Sequence, residues 1–212
     1  MYIICEIRRE RGLVSLCADG TVLITVRACD LESHPVFEGD EIDIDEYSAK
    51  MASVQFADAY EAALSMLDRS AKTAWQISSS LARKGFVTDA IESVIARLTE
   101  NRLIDDRHFA ERMTESAGRS GSGIYAIKQK MRAKGISEDD IENAVSAIDP
   151  EEQLAAASAL AKKLAPRYSS EPRPKARAKL SQALARRGFS WDVISSALEN
   201  INFSEEEFDE FC

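Results

Sequence analysis

The chain has 212 residues, 45% of them hydrophobic and 30% charged, and a net charge of −9. This suits one or two globular domains with a sizeable core; no apolar run reaches membrane-span length and no basic-then-apolar leader opens the chain, so a cytoplasmic protein with no membrane partner is expected. The four cysteines, Cys5, Cys17, Cys29 and Cys212, form no CxxC pair and have no histidine at ligand spacing, which points to small reduced thiols and no metal site.

The acidity is unevenly spread. Residues 1–58 carry 5 basic and 12 acidic side chains, residues 59–198 carry 22 and 18, and residues 199–212 carry none and 6. A mildly basic middle is flanked by acidic ends, which argues against a strong general binder of free nucleic acid.

In chain order, residues 2–9, 13–18 and 21–27 read as three strands of a small antiparallel meander. Ala18-Asp19-Gly20 turns the second into the third, and Glu10-Arg11-Gly12 turns the first. Residues 31–45 read as irregular and acidic. From about residue 46 the pattern becomes helical. Phe56, Ala59, Tyr60, Ala63, Leu64 and Leu67 form a stripe over 54–69. Residues 71–84 form a second helix, with Trp75, Ile77 and Leu81 expected inside, and 88–101 a third. Helices follow at 105–118, with Asp105 or Asp106 as cap, at 124–134 after the break Gly121-Ser122-Gly123, and at 138–148. Asp149-Pro150 opens the next, running to about Leu164, with an N-cap and a proline at the first helical position. A proline-rich connector leads to helices at 174–187 and 191–199, and an acidic tail ends the chain.

Three segments repeat: Leu81 to Phe86, Met131 to Ile136 and Leu184 to Phe189. Their glycines, Gly85, Gly135 and Gly188, stand 50 and 53 residues apart. Four places before each glycine is a leucine or methionine, one place after is Phe86, Ile136 or Phe189, and six after is Ile91, Ile141 or Ile194. A glycine closing a helix takes a left-handed backbone cheaply, and the apolar residue after it folds back as in a Schellman cap. Ser137 and Ser190 stand where the next helix needs an N-cap; in the first copy Val87 stands there and Thr88 is the candidate. The expected fold is mainly α: three tandem three-helix repeats in an extended curved array, after a small antiparallel β segment. The expected divisions are a β-rich acidic segment at 1–45, repeats at 46–101, 102–148 and 149–201, and a tail at 202–212.

Over residues 59–200 the chain resembles the RecX family of bacterial regulators of the RecA recombinase. The resemblance rests on Leu81-Ala82-Arg83-Lys84-Gly85-Phe86, on Leu103-Ile104-Asp105-Asp106-Arg107-His108-Phe109-Ala110, on Arg119-Ser120-Gly121-Ser122-Gly123, and on the Lys134-Gly135-Ile136 and Arg187-Gly188-Phe189-Ser190 turns. It implies a non-enzymatic modulator without cofactor. Such a protein would act in DNA repair, recombination and SOS control. It would lie in the groove of the RecA–single-stranded-DNA filament and hinder filament growth, ATPase and strand exchange, with weak direct contact to DNA and no need to dimerise. A rival reading takes the helix–glycine–helix units as helix-turn-helix modules acting on DNA directly.

The candidate contact residues are mostly cations. Lys128 with Arg132, and Lys130 with Lys134, make two rows on the central basic helix. Arg173, Lys175, Arg177 and Lys179, with Arg186 and Arg187, form a second cluster; Arg83, Lys84 and Arg119 lie in the family-like segments. The bland alternative for each is a solvated helix face. Trp191 stands where the other repeats have Thr88 and Glu138, and is a candidate exposed contact. Asp105, Asp106 and His108 read as a helix start with a surface histidine, and His34 as loop. Gly121 and Gly123 read as a turn and not a phosphate loop, since no GK[ST] follows. Phe86, Phe109, Phe189 and Trp75 read as core. No constellation of nucleophile, base and metal supports an enzyme.

Overall fold

The computed structural model describes residues 1–119, 121–199 and 201. It divides into two compact units, residues 1–105 and the chain from Asp106 onward. The described residues are mostly helical, and no helix among them is long and apolar enough to cross a membrane.

The first unit opens with strand β1 (Tyr2–Ile3) and the meander β2 (Glu6–Glu10), β3 (Leu13–Ala18) and β4 (Thr21–Arg27). Both hairpins turn on two residues with positive φ, Arg11-Gly12 and Asp19-Gly20, at 50° and 82° and at 50° and 77°. Two positive φ values in a two-residue loop match the right-handed twist of the strands they join. The stretch expected as one strand over 2–9 is two. Ile4, fully buried, breaks it: its amide goes to the Asp40 carbonyl, and β1 pairs with a later strand, β5 (Glu41–Ile42). The loop expected to be irregular thus holds β5, and a short helix, α1 (Ala28–Leu31), leads into it.

Helix α2 (Ile44–Arg69) starts two residues before the helical pattern expected from about residue 46 and runs unbroken through the stripe at 54–69. Asp43 caps it, its Oδ1 accepting from the amides of Asp45 and Glu46 at 3.0 and 3.1 Å. These bonds hold the Asp43 carboxyl below its ordinary value. The early turns of α2 bury Tyr47, Met51 and Gln55 at four-residue spacing; Tyr47 and Met51 pack on Ile4, Val14, Leu16 and Val26 of the sheet region. The later turns bury Ala59 and Ala63 against α3 (Ala74–Arg83) and α4 (Thr88–Glu100). Helix α3 begins with a capping box between Thr73 and Gln76. Full burial of side chains such as Ile77, Leu81 and Leu98 is worth about 1.5–3 kcal/mol each.

The second unit holds two more triplets. Helices α5 (Asp106–Arg119), α6 (Ile124–Arg132) and α7 (Glu138–Ser146) enclose Ala110, Ile127, Met131 and Ile141. Helix α8 (Pro150–Leu164), a 3-10 turn (Ala165–Tyr168), α9 (Arg173–Arg186) and α10 (Trp191–Glu199) enclose Ala157, Leu180, Leu184, Phe189 and Ile194. Ser137 and Ser190 accept the capping amides of Asp140 and Val193, and Asp149 that of Glu151. Val87 is itself the N-cap of α4, with no side-chain cap bond, so Thr88 does not take that role.

The three glycine turns are alike in every bond. Gly85, Gly135 and Gly188 have φ of +84°, +72° and +84°. Their amides go to the carbonyls of Ala82, Arg132 and Ala185 at 2.9–3.0 Å. The amides of Phe86, Ile136 and Phe189 reach back to Leu81, Met131 and Leu184 at 3.2–3.3 Å. Each is a complete Schellman cap.

Candidate partner-binding surface

Two of the turns, at Gly85 and Gly188, serve as docking points, one inside each unit. In the second unit, the amide of Gly123 donates to the Arg187 carbonyl and that of Tyr125 to the Gly188 carbonyl, both at 2.9 Å. The end of α9 thus satisfies amides that the start of α6 leaves unpaired, and opposite ends of two helix dipoles meet. Buried Gln153 on α8 adds a long 3.5 Å contact to the Ser122 carbonyl. In the first unit the β meander receives the turn. A Cβ on Gly85 would fall 2.4 Å from Leu13 Cδ2, and Arg27 stacks over Phe86 at 4.4 Å. Gln55, fully buried, accepts from the Val87 amide at 2.7 Å and donates to Asp30 at 2.6 Å. Arg27 makes a two-pronged pair with Asp30 and reaches Asp58 at 2.9 Å. Burial works against its charge, but the bonds to Asp30 and Asp58 outweigh that and raise its pKa. Burial, helped by Asp30, pushes the nearby Tyr47 up to about 12.

The outer faces of the second helices, and the turns that close them, carry the candidate cations. The central basic helix α6 is not a uniform row. Lys128, 18% exposed, is paired with Glu142 at 2.6 Å. Arg132 holds Glu138 by two bonds at 2.6 and 2.9 Å. The hydrogen bond to Arg132 keeps Glu138 below the ordinary carboxylate value, and the same bond raises Arg132. Lys134 lies 5.4 Å from the centre of the partly buried Phe109 ring. Among the described residues, Lys130 alone of the four is exposed with neither an ion pair nor a ring contact.

In the third repeat, Lys175 pairs with Glu171 at 2.7 Å and Lys179 pairs with the same carboxylate. Lys175 first, then Lys179, holds Glu171 below its ordinary value. Arg173 is exposed at the start of α9. Arg177, Arg186 and Arg187 are exposed and have no carboxylate within ion-pair distance among the described residues. Trp191 is 68% exposed and shares an open hollow with Arg177, Ala178 and Ala185. In the first repeat Arg83 and Lys84 are exposed; Arg83 is held only by the Ser79 carbonyl and the Ser80 hydroxyl. The Arg119 side chain lies outside the described part of the structure.

One residue expected in the core is not there. Trp75 is 52% exposed on the outer face of α3, while Phe86 and Phe189 are buried. Trp75 stands two residues before Ile77, which does point inward. Neighbours two apart on a helix face different ways, and that spacing is the signal that would have placed it.

Comparison with known proteins gives a consistent result. Residues 59–98, 105–145 and 151–198 match the models described as the first, second and third three-helix domains of RecX. The chain is 30% identical over 199 residues to "Regulatory protein RecX" of Limosilactobacillus reuteri, covering 92% of this chain and 75% of that one. It is 28% identical over 208 residues to the protein of that name from Levilactobacillus brevis, covering 98% and 78%. A crystal structure of regulatory protein RecX is similar with a TM-score of 0.65 and 28% identity, over 94% of this chain and all of that one. A crystal structure of RecX from Lactobacillus salivarius gives 0.66 and 28% over 69% of this chain and 96% of that one.

Proposed function

The chain belongs to the RecX family, and on that basis we propose that it binds the RecA recombinase filament on single-stranded DNA and restrains its growth, ATPase and strand exchange. The observation that carries the reading is the presence of cations with no ion pair among the described residues on the second helix, or in the turn that closes it, in all three repeats. They are Arg83 and Lys84, then Lys130, then Arg177, Arg186 and Arg187. Each set is small, and each sits on a separate three-helix body. Contacts that are weak singly gain affinity when they are held together on one polymeric target, because the second and third become intramolecular. The relatives are named regulatory proteins, which agrees with a modulator acting through a partner and not through chemistry of its own.

The test is the ATPase rate of the host's recombinase on single-stranded DNA, titrated with this protein beside a titration of bare DNA. Inhibition well below the concentration that binds bare DNA is the expected result. No effect on the recombinase, with salt-sensitive binding to bare DNA, would replace the proposal with the direct DNA-binding reading.

A further inference from the structure

Helix α3 carries a surface that its cations alone do not explain. Trp75 stands proud of the helix at the edge of a shallow groove of about 630 Å³, which Lys72, Gln76, Ser79, Ser80 and Arg83 complete. The lining contains no carboxylate. Lys72 and Arg83 form no ion pair among the described residues, unlike Lys128, Arg132, Lys175 and Lys179. An indole left in water at this cost in apolar exposure, with two unneutralised cations and a set of hydroxyl and amide groups beside it, matches the two-part chemistry of an unpaired nucleotide. Its base stacks on an aromatic face, and its phosphates meet lysine and arginine.

The register repeats. Trp75 lies ten residues before Gly85, and Tyr125, 62% exposed, lies ten before Gly135. In the third repeat that position is Ala178, and Trp191 of α10 lines the same hollow as Ala178. Each repeat therefore presents one large exposed aromatic ring at or beside the same point of its second helix. The first groove sets two cations, Lys72 and Arg83, around its ring, where the hollow at Trp191 has Arg177 alone.

We infer that the Trp75 groove is a contact for single-stranded nucleic acid, the indole stacking on a base while Lys72 and Arg83 hold the phosphates on either side. Trp75 and Arg83 are eight residues apart, roughly 12 Å along the helix axis, so the contact follows the strand along α3. A protein partner fits less well. A hydrophobic hot spot would be rimmed to exclude water and filled by an apolar anchor, whereas this rim is Lys72, Gln76, Ser79, Ser80 and Arg83, polar throughout. The inference rests on the filament reading for its setting, since the filament supplies the single strand.

The experiment uses the full chain with Trp191→Phe, so that Trp75 is the remaining indole, and titrates a single-stranded oligothymidylate. Trp75 emission should be quenched as the oligonucleotide binds. Trp75→Ala should weaken binding on the order of tenfold with an unchanged helical circular dichroism spectrum. Lys72→Ala with Arg83→Ala should flatten the log–log salt dependence by about 1.4. Emission that stays fixed while oligonucleotide anisotropy reports binding overturns the inference. So does a change in emission that needs the recombinase without DNA, which would make the groove a protein contact. Recombinase ATPase is measured in parallel. Inhibition kept by Trp75→Ala, with no quenching in the parent, removes the base contact and leaves the filament reading. Quenching in the Trp191→Phe chain without inhibition by the unmodified chain removes the filament reading and leaves the contact.

Discussion

The backbone of Gly188 lies against Gly123 so closely that a Cβ on Gly123 would fall 2.2 Å from the Gly188 carbonyl carbon and oxygen. The reverse is also true, since a Cβ on Gly188 would fall 2.3 Å from the Ala126 amide nitrogen. Gly123→Ala should therefore force the third repeat off the second and destabilise the chain by about 1–3 kcal/mol. Gly118→Ala is the contrast. Gly118 is helical with nothing within 4 Å of a Cβ, and alanine there should be neutral or stabilising by up to about 1 kcal/mol. Urea unfolding of the two variants gives the comparison, and equal midpoints would refute the docking account.

Gly135→Val should lose stability through the backbone. Gly135 sits at φ +72° in a complete Schellman cap, and a β-branched residue in that region costs about 1–3 kcal/mol. Asparagine tolerates left-handed backbone better, so Gly135→Asn should recover part of the loss in thermal melting. If valine and asparagine melt alike, strain at this φ is not what the cap depends on.

Gln55→Ala should be among the most damaging single changes in the first unit. It leaves the Val87 amide without its buried acceptor, at about 1–3 kcal/mol for the stranded group, and removes one of the two donors to Asp30 Oδ2, which keeps Arg27. Hydrogen exchange at the Val87 amide should accelerate sharply, and an unchanged rate would show that another acceptor replaces the glutamine.

Much of this fold could be read from the sequence, because its strongest signals are local. Glycine at a helix end, serine after it and leucine four before it are set by backbone geometry and burial within one triplet. Those rules predicted the turns, the caps at Ser137 and Ser190, and the buried Leu81, Met131 and Leu184. What escaped depends on partners distant in the chain. The early turns of α2 read as helical from about residue 46, but that Tyr47 and Met51 would pack on Ile4 and Val26 depends on strands far away in the sequence. The cation rows were visible, but Glu138, Glu142 and Glu171, which pair with four of these cations, come from separate helices or connectors. Trp75 was misplaced because aromatic content was weighted above helical phase.

The internal pairs can be used to probe the surface. Glu138→Gln with Glu142→Gln frees Arg132 and Lys128 without touching either cation. If α6 faces an anionic target, the concentration for half-inhibition of the recombinase ATPase should fall roughly two- to fivefold, the range of exposed ion pairs. An unchanged value would assign those two cations to the triplet's own stability.

Glu138 should also report its partner by titration. Its folded pKa is depressed below 4.5, chiefly by the hydrogen bond to Arg132. A depressed carboxylate stabilises the fold above its unfolded pKa and loses that contribution as pH falls through the folded value. Carboxyl-carbon NMR should therefore place its midpoint below 4.5 in the parent and higher in Arg132→Ala. Coincident midpoints would mean that the pair does not persist in solution.

Helix α2 has a mechanical consequence. Its 26 residues run from the wall of the β meander into the heart of the first triplet, a beam about 39 Å long clamped at both ends. Arg27, Asp30 and Gln55 brace it midway against the turn at Gly85. Because the helix is unbroken from Ile44 to Arg69, the meander and the first triplet share one backbone element and make a single body within this unit.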